Sequence, residues 1–257
     1  MPHPSTNPTP LTKSENIVKR IVPVVLSLVP LLASCQATPT DETTLPVNAM
    51  AATAHPVATQ VARNVLEQGG NAADAAVAAG FALAVAEPSM SHLGGRIQIL
   101  VRTADGRYAG YNGMTEVPSG YVAPEVAVSQ GYGTIATPGV VAGLARLHAE
   151  HGSLPWSDLL EEPASIARDG YKLLPGAAAR HGRGFEQFRD NPGFQRVFIE
   201  DDGTAFDADD VIRQPVLAQT IERLALAGAD DFYRGQIAQQ IAADMAANGG
   251  HVTANDL

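Results

Sequence analysis

Two histidines three residues apart, His148 and His151, are the first candidates for chemistry in this sequence. On a helix this spacing can place two imidazoles on one face, as in some metal sites. The neighbouring Glu150 does not complete a known zinc motif, and the sequence offers no convincing third ligand nearby. The pattern favours a solvated helix end, and we predict no metal site here.

An acidic segment at residues 200–210, EDDGTAFDADD, has the composition of a calcium loop. An EF-hand loop carries an acidic ligand at its first position and a glycine at its sixth. Counting back from Gly203, the first position is Phe198, whose side chain cannot bind calcium. The sequence therefore favours a solvated acidic loop.

Motifs for a nucleophile or a phosphate group are missing from the sequence. It contains neither a GxSxG elbow nor a GxxxxGK[ST] loop. Gly94 and Gly95 follow Ser91 and could present N–H groups to an anion, but a glycine pair is more typical of a tight turn. Taken alone, these residues predict no pair of nucleophile and base.

The elements that must position any site begin with a helix within residues 55–70, HPVATQVARNVLEQGG. Pro56 suits the first helical position, and the glycine pair Gly69 and Gly70 suits the end of the helix. The apolar side chains recur at helical spacing and predict one buried stripe: Val57, Ala58, Val61, Ala62, Val65 and Leu66.

A second helix follows, and its small apolar residues raise the question of a membrane span. Asn71 can cap the start of this helix, and the Asp74 carboxylate in its first turn interacts favourably with the positive end of the helix dipole. Pro88 ends the helix, because the residue before a proline avoids the helical conformation. The apolar run at residues 71–86 is shorter than the roughly 20 residues that a span needs, and it contains Asp74. We therefore predict a helix buried in a globular core.

The rest of the chain predicts one hairpin and further helices. Ile97, Ile99 and Val101 alternate with polar residues, and Asp105 with Gly106 signals a hairpin turn. Helices are predicted at 137–151 and 155–169, and two more, broken at 228–230, are predicted in the last third. Residues 173–210 are interpreted as a looser segment, with a mobile surface loop at 182–198; a lid is the alternative. Helix pairs around one hairpin indicate a layered α/β or α+β domain.

The first 34 residues have the pattern of a secretory signal, with basic residues before an apolar run at 21–35. The run ends in LASC, which resembles a bacterial lipobox, so cleavage would leave Cys35 first and lipid-modified. Gln36 follows instead of aspartate, which in such lipoproteins favours the outer membrane and a protein that faces the periplasm. An ordinary signal peptide that happens to contain a cysteine is the alternative.

The composition of the residues after the signal indicates how the mature protein is organised and which partners it excludes. Residues 35–47 are rich in threonine and proline and are predicted to be a tether, with residues 48–257 forming the folded part. Cys35 is the only cysteine, so no intramolecular disulfide forms. A net charge of −10 argues against a nucleic-acid partner, whose phosphates require a basic face.

Five stretches resemble the gamma-glutamyltransferase (gamma-glutamyltranspeptidase) family, in order along the chain: residues 54–95, 137–164, 167–171, 214–224 and 230–257. The resemblance covers essentially all of residues 48–257. It implies the fold of N-terminal-nucleophile hydrolases, an αββα sandwich with two central sheets between helix layers, which this chain would contain only in part.

The same resemblance implies the reaction. The family's precursor cuts itself into a large and a small subunit, and the threonine that begins the small subunit is the nucleophile, with its own amine as base. It passes a γ-glutamyl group, typically from glutathione, to water or an amine, and no cofactor is implied. The sequence ends at Leu257, within the implied large subunit. We therefore expect the catalytic residues outside this chain, in a small-subunit partner, unless the gene is truncated.

One substrate-binding residue is implied within this part of the family, an arginine in a D-G-R-E-x-A-P pattern that binds the donor's α-carboxylate. Residues 112–118 read NGMTEVP, so Met114 stands at the arginine position. A thioether cannot donate the charge-assisted hydrogen bonds that a carboxylate accepts. Arg96, which follows Gly95 where the family has glycine, is predicted to supply the missing charge or to mark another acyl specificity. A plain surface residue is the alternative.

The sequence therefore predicts that the complete protein transfers or hydrolyses γ-glutamyl amides, anchored by lipid in the cell envelope. Two alternatives stay open. One is an amidase or acylase of the same fold with another acyl specificity, and the other is a non-catalytic lipoprotein that keeps the helical scaffold.

Overall fold

The computed structural model describes residues 49–126 and 128–257. The predicted signal peptide at 1–34, the lipidation site Cys35 and the tether at 35–47 lie outside the described residues. These assignments and the domain boundaries therefore stay predictions.

The two N-terminal helices are confirmed as α1 (Pro56–Glu67) and α2 (Ala72–Ala86). The stripe predicted for α1 is buried along most of its length. Helix α2 is buried on nearly every face, since its alanines let α1, α3 (Val140–His151) and α4 (Trp156–Asp169) approach closely. Among the described residues, no helix combines the length and apolar content needed to cross a bilayer.

A capping box begins α2. The Asn71 side chain accepts hydrogen bonds from the N–H groups of Ala73 and Asp74, and the Asp74 carboxylate accepts one from the Asn71 N–H at 2.9 Å. This reciprocal pairing satisfies donors that a helix start leaves unpaired. The capping role of Asn71 is thus confirmed.

Asp74 also reaches across to the segment between α3 and α4, although its side chain is completely buried. Its oxygens accept hydrogen bonds from the Ser153 N–H (2.9 Å), the Ser153 hydroxyl (2.6 Å) and the Leu154 N–H (3.3 Å). Burial alone would raise the pKa of Asp74, but these bonds and the one from Asn71 outweigh it and hold the pKa below its usual value. The carboxylate therefore stays charged and joins two helix connections.

The predicted hairpin is confirmed as β1 (Ile97–Arg102) and β2 (Tyr108–Gly113), an antiparallel pair. Its register runs from Ile97 opposite Gly113 to Arg102 opposite Tyr108. In β1 half-buried residues alternate with exposed ones, and the half-buried side packs on α3. A short 3₁₀ helix (Tyr132–Thr134) lies before α3, which begins three residues later than predicted.

Helix α4 packs against α7 (Pro215–Ala227), and one aromatic side chain connects both to α2. The Trp156 indole N–H donates to the Leu224 carbonyl at 2.9 Å. Its ring meets Phe81 edge to face, with centroids 5.6 Å apart, and lies 5.4 Å from the His148 ring. Two short strands, β3 (Tyr171–Lys172) and β4 (Val211–Ile212), form a second antiparallel pair between these helices in sequence.

The loop interpretation of residues 182–198 is wrong. Two helices occupy most of this segment, α5 (Pro175–Phe188) and α6 (Pro192–Phe198). Asn191 caps α6 by accepting from the N–H groups of Gly193 and Phe194. Phe194 also packs against Phe188 and Phe198, with centroids 6.0 Å and 5.3 Å away. Aromatic packing thus outweighs the low helix propensity of the glycines in this segment.

The C-terminal third contains one more helix than predicted. The break at 228–230 is confirmed, but a second break at Gly235 separates α8 (Asp230–Arg234) from α9 (Gln236–Ala247). The Asp231 carboxylate accepts from the N–H groups of Gln236 and Ile237 and so caps α9. It also binds the Arg223 guanidinium through two bonds of 2.6 and 2.7 Å, and Arg223 is the main reason that the pKa of Asp231 falls to about 2.

Replacing Asp74 tests whether this carboxylate joins the two connections. Asp74→Ala leaves the N–H groups of Asn71, Ser153 and Leu154 without their acceptor, and we expect a loss of about 3 kcal/mol in the free energy of unfolding. Urea denaturation measures it. The exposed Asp190→Ala is the control and should change the value by less than about 0.5 kcal/mol. Equal effects from both variants would contradict the assignment.

Candidate functional site

A close backbone crossing sets the position of Met114. The N–H groups of Gly139 and Val140 donate to the Gly95 carbonyl at 2.9 and 3.3 Å. A side chain on Gly139 would place its Cβ only 2.3 Å from the Gly113 carbonyl oxygen. Glycine is therefore required where the start of α3 crosses the end of β2, and Met114 is the next residue after that crossing.

Met114 lines a cavity of about 490 Å³ between the end of the hairpin, α3 and α8. The Met114 residue is 37% exposed. Two arginines, Arg146 and Arg234, line the same cavity. Arg146 is paired with Glu150, and Arg234 is paired with Asp230 at 2.9 Å. Each ion pair joins two residues of the same helix, the first in α3 and the second in α8, and both pairs are largely exposed. Each arginine is therefore only weakly held by its partner.

Arg96 lies at a different cavity of about 470 Å³, with Ser91, His92 and Thr115. The chain after β2 separates the two cavities, since Thr115 lines one while Met114 and Glu116 line the other. This segment is extended and pairs with Thr137 through bonds of 2.9 and 3.1 Å. The structure therefore does not bring Arg96 and Met114 to one cavity, and the compensating charge from Arg96 stays a prediction.

The histidine pair binds protein groups. His148 Nε2 lies 2.8 Å from the Leu154 carbonyl oxygen. His151 Nε2 lies 2.6 Å from the Tyr111 hydroxyl, which donates to Glu150. Within residues 49–126 and 128–257, no group of three or more His, Cys, Asp or Glu side chains is placed to hold a metal ion.

The acidic segment and the glycine pair form turns. Asp202 accepts from the N–H and hydroxyl of Thr204, and Asp210 accepts from the Asp207 N–H. Phe198 ends α6 and packs against His181. The Gly95 N–H donates to the His92 carbonyl at 3.1 Å, as in a tight turn.

Comparison with known proteins decides the family. The family model described as gamma-glutamyltranspeptidase matches residues 58–257. The chain belongs to the gamma-glutamyltranspeptidase family. It is 33% identical over 220 residues to the glutathione hydrolase proenzyme of Escherichia coli (strain K12), a match that covers 81% of this chain and 38% of the relative. The chain therefore spans about two fifths of the length of this gamma-glutamyltranspeptidase relative.

Solved structures confirm the fold prediction for the described residues. The Helicobacter pylori gamma-glutamyltranspeptidase is similar with a TM-score of 0.77 and 30% identity, over 81% of this chain and 62% of that one. A cephalosporin acylase from Bacillus halodurans matches with a TM-score of 0.72 and 29% identity, over 79% and 40%. The described residues thus have the helices and small sheets of a gamma-glutamyltranspeptidase of the N-terminal-nucleophile hydrolase class.

Sequence reasoning missed the groups that share the cavity with Met114. Arg146 and Arg234 lie on α3 and α8, far apart in sequence, and each reads as part of an exposed intrahelical ion pair. Tyr233, beside Arg234, lines the cavity and donates its hydroxyl to the Pro138 carbonyl at 3.3 Å. No local pattern signals this convergence, because it depends on how α8 packs beside α3.

Proposed function

We propose that the complete protein transfers or hydrolyses the acyl group of γ-glutamyl amides. The match of residues 58–257 to the gamma-glutamyltranspeptidase family carries this proposal. The names of the relatives support it, since several are glutathione hydrolases or their proenzymes. An N-terminal threonine of a small subunit, outside these 257 residues, would attack the amide carbonyl with its own amine as base.

One feature of the described residues supports a role as the large-subunit part of such an enzyme. Four valine side chains in the segment between β2 and α3 are exposed, as on a surface that another polypeptide covers: Val117, Val122, Val126 and Val128.

The threonine can be sought directly. Translation of the DNA beyond codon 257 in all frames should reveal a segment that begins with threonine after processing. Mass spectrometry of the protein purified from its source should find that second chain, and Thr→Ala at its first residue should abolish glutamate release from a γ-glutamyl anilide. Glutamate release by the purified 257-residue chain alone would contradict the proposal. A source genome without such a segment would favour the non-catalytic scaffold.

A second candidate function is an amidase or acylase with another acyl specificity, and Met114 favours it. At this position the chain offers a thioether, which cannot bind a carboxylate through charge-assisted hydrogen bonds. The similarity to the cephalosporin acylase also supports this candidate. An acyl donor without a free α-carboxylate would fit the Met114 cavity if the ion pairs of Arg146 and Arg234 persist in the complete protein.

Met114→Arg in the complete protein separates the two candidates. If the cavity binds the donor acyl group, the new guanidinium should raise kcat/KM at least about tenfold for donors with a free α-carboxylate, relative to donors without one, since charge-assisted bonds contribute roughly 1.5–3 kcal/mol each. Met50→Arg is the control, because it adds the same charge at an exposed position outside both the Met114 cavity and the Arg96 cavity. An equal response to both variants would rule out a donor site at Met114.

Arg96→Ala in the same assay tests the compensating charge. Lower turnover of donors with a carboxylate, with other donors unaffected, would support a role for Arg96 in binding. Unchanged turnover of every donor would leave Arg96 as a surface residue.

We also propose that the protein is lipid-anchored through Cys35 in the outer membrane and faces the periplasm. The apolar run that ends in LASC, with Gln36 after the cysteine, supports this location. Labelling of growing cells with radioactive palmitate should mark the wild type, and Cys35→Ser should abolish the label and release the protein from membranes. Label that persists in Cys35→Ser would contradict the anchor.

A further inference from the structure

Three buried polar atoms have no hydrogen-bond partner within the described residues: His55 Nε2, the Tyr171 hydroxyl and His181 Nδ1. The three residues are only 1%, 5% and 6% exposed. Buried polar side chains normally find a partner, so each exception calls for an explanation. Two of the three exceptions are histidines, whose charge changes near neutral pH.

The three residues belong to one cluster around Glu87, formed where four elements meet. His55 precedes α1, Glu87 follows α2, Tyr171 lies in β3 and His181 lies in α5. The rings of His55 and Tyr171 meet edge to face with centroids 5.8 Å apart. The Glu87 carboxylate acts electrostatically on all three residues.

Glu87 already has a cationic partner. Arg180, the residue before His181, donates to its carboxylate at 2.5 Å and also to the Ser89 hydroxyl at 3.2 Å. The charged or titratable groups that the described residues place against the two histidines are therefore Glu87 after α2, Arg180 on α5 and Tyr171 on β3. Burial raises the pKa of Tyr171, which keeps its hydroxyl neutral. A proton on either histidine thus adds uncompensated positive charge beside a carboxylate–guanidinium pair whose carboxylate is buried and whose guanidinium is partly exposed.

The hydrogen bond at the start of α1 fixes the neutral form of His55. Its Nδ1 accepts from the Val57 N–H at 3.2 Å and caps the helix. The proton of the neutral ring therefore lies on Nε2. A second proton would have to bind Nδ1, where it would face the Val57 N–H, so protonation removes the cap as well as burying a charge.

His181 is also buried, like His55. Its ring packs on Phe198 with centroids 4.7 Å apart, and its Nδ1 has no partner in the cluster. Burial lowers the pKa of His181, Arg180 lowers it further, and Glu87 opposes both. Burial likewise lowers the pKa of His55 against the opposing charge of Glu87.

We propose that the cluster of His55, Glu87, Tyr171, Arg180 and His181 is a pH-sensitive junction that holds α1, α2, β3 and α5 together while both histidines are neutral. Because the folded state disfavours the charged rings, the junction is fully stabilising above the unfolded histidine pKa of about 6.5. Its contribution is lost as the pH falls from there through the lower folded pKa values. Mild acid would therefore loosen the packing of α1 and α5 on α2.

Urea unfolding of the full chain between pH 7.5 and 5.0 tests the junction. Below pH 6.5 each of the two histidines should raise the unfolding equilibrium constant by up to about tenfold per pH unit. His55→Asn keeps a helix-capping acceptor and His181→Gln keeps a polar group, but neither new side chain titrates. The double variant should lose this part of the pH dependence, whereas the exposed His92→Asn should keep it. A double variant with the wild-type pH dependence would overturn the proposal.

Two measurements on the wild type keep the test decisive if the variants fold poorly. In an NMR titration, two of the histidine Cε1 protons should report pKa values below 6.5, and their absence would overturn the proposal. Hydrogen exchange at pH 5.5, corrected for intrinsic rates, should speed up more in residues 56–67 and 175–188 than in 140–151. An equal change in all three segments would overturn the assignment to this junction.

Discussion

The Asp74 carboxylate is completely buried and negatively charged, so the protein itself must supply the hydrogen bonds that water would otherwise make. Donors from the start of α2 and from the segment between α3 and α4 meet this requirement. The Asn71 amide adds a bond of 2.7 Å to the His151 carbonyl at the end of α3. Helices α2, α3 and α4 are therefore fixed relative to one another at one place, and the core forms around them.

The candidate site depends on the same constraint through α3. Its C-terminal end is held beside Asn71 and Asp74, and its N-terminal end is held by the bonds to the Gly95 carbonyl. With both ends fixed, the crossing of Gly139 over Gly113 has little freedom, and the residue that follows β2 must project into the cavity beside α3. The residue at position 114 therefore enters this cavity from a rigid support.

Local signals in the sequence sufficed for the first half of the fold. Pro56, Asn71 and Pro88 mark helix ends through their backbone chemistry, and the alternation in β1 needs no knowledge of the partner strand. The loop interpretation of residues 182–198 was wrong because the helices there depend on aromatic packing, against a glycine-rich composition. The break at Gly235 was missed because it depends on the Asp231 carboxylate, which accepts hydrogen bonds from the first N–H groups of α9 and from the Arg223 guanidinium. The site was only half predictable for the same reason, since Met114 follows from a motif whereas the approach of Arg146 and Arg234 follows from packing.

The position of Trp156 has a consequence for spectroscopy. It is the only tryptophan in the chain, and it touches Phe81 of α2 and His148 of α3 while its N–H binds the Leu224 carbonyl of α7. All indole fluorescence of these 257 residues therefore originates where four helices meet. The emission wavelength reports the hydration of that one contact, without any extrinsic dye.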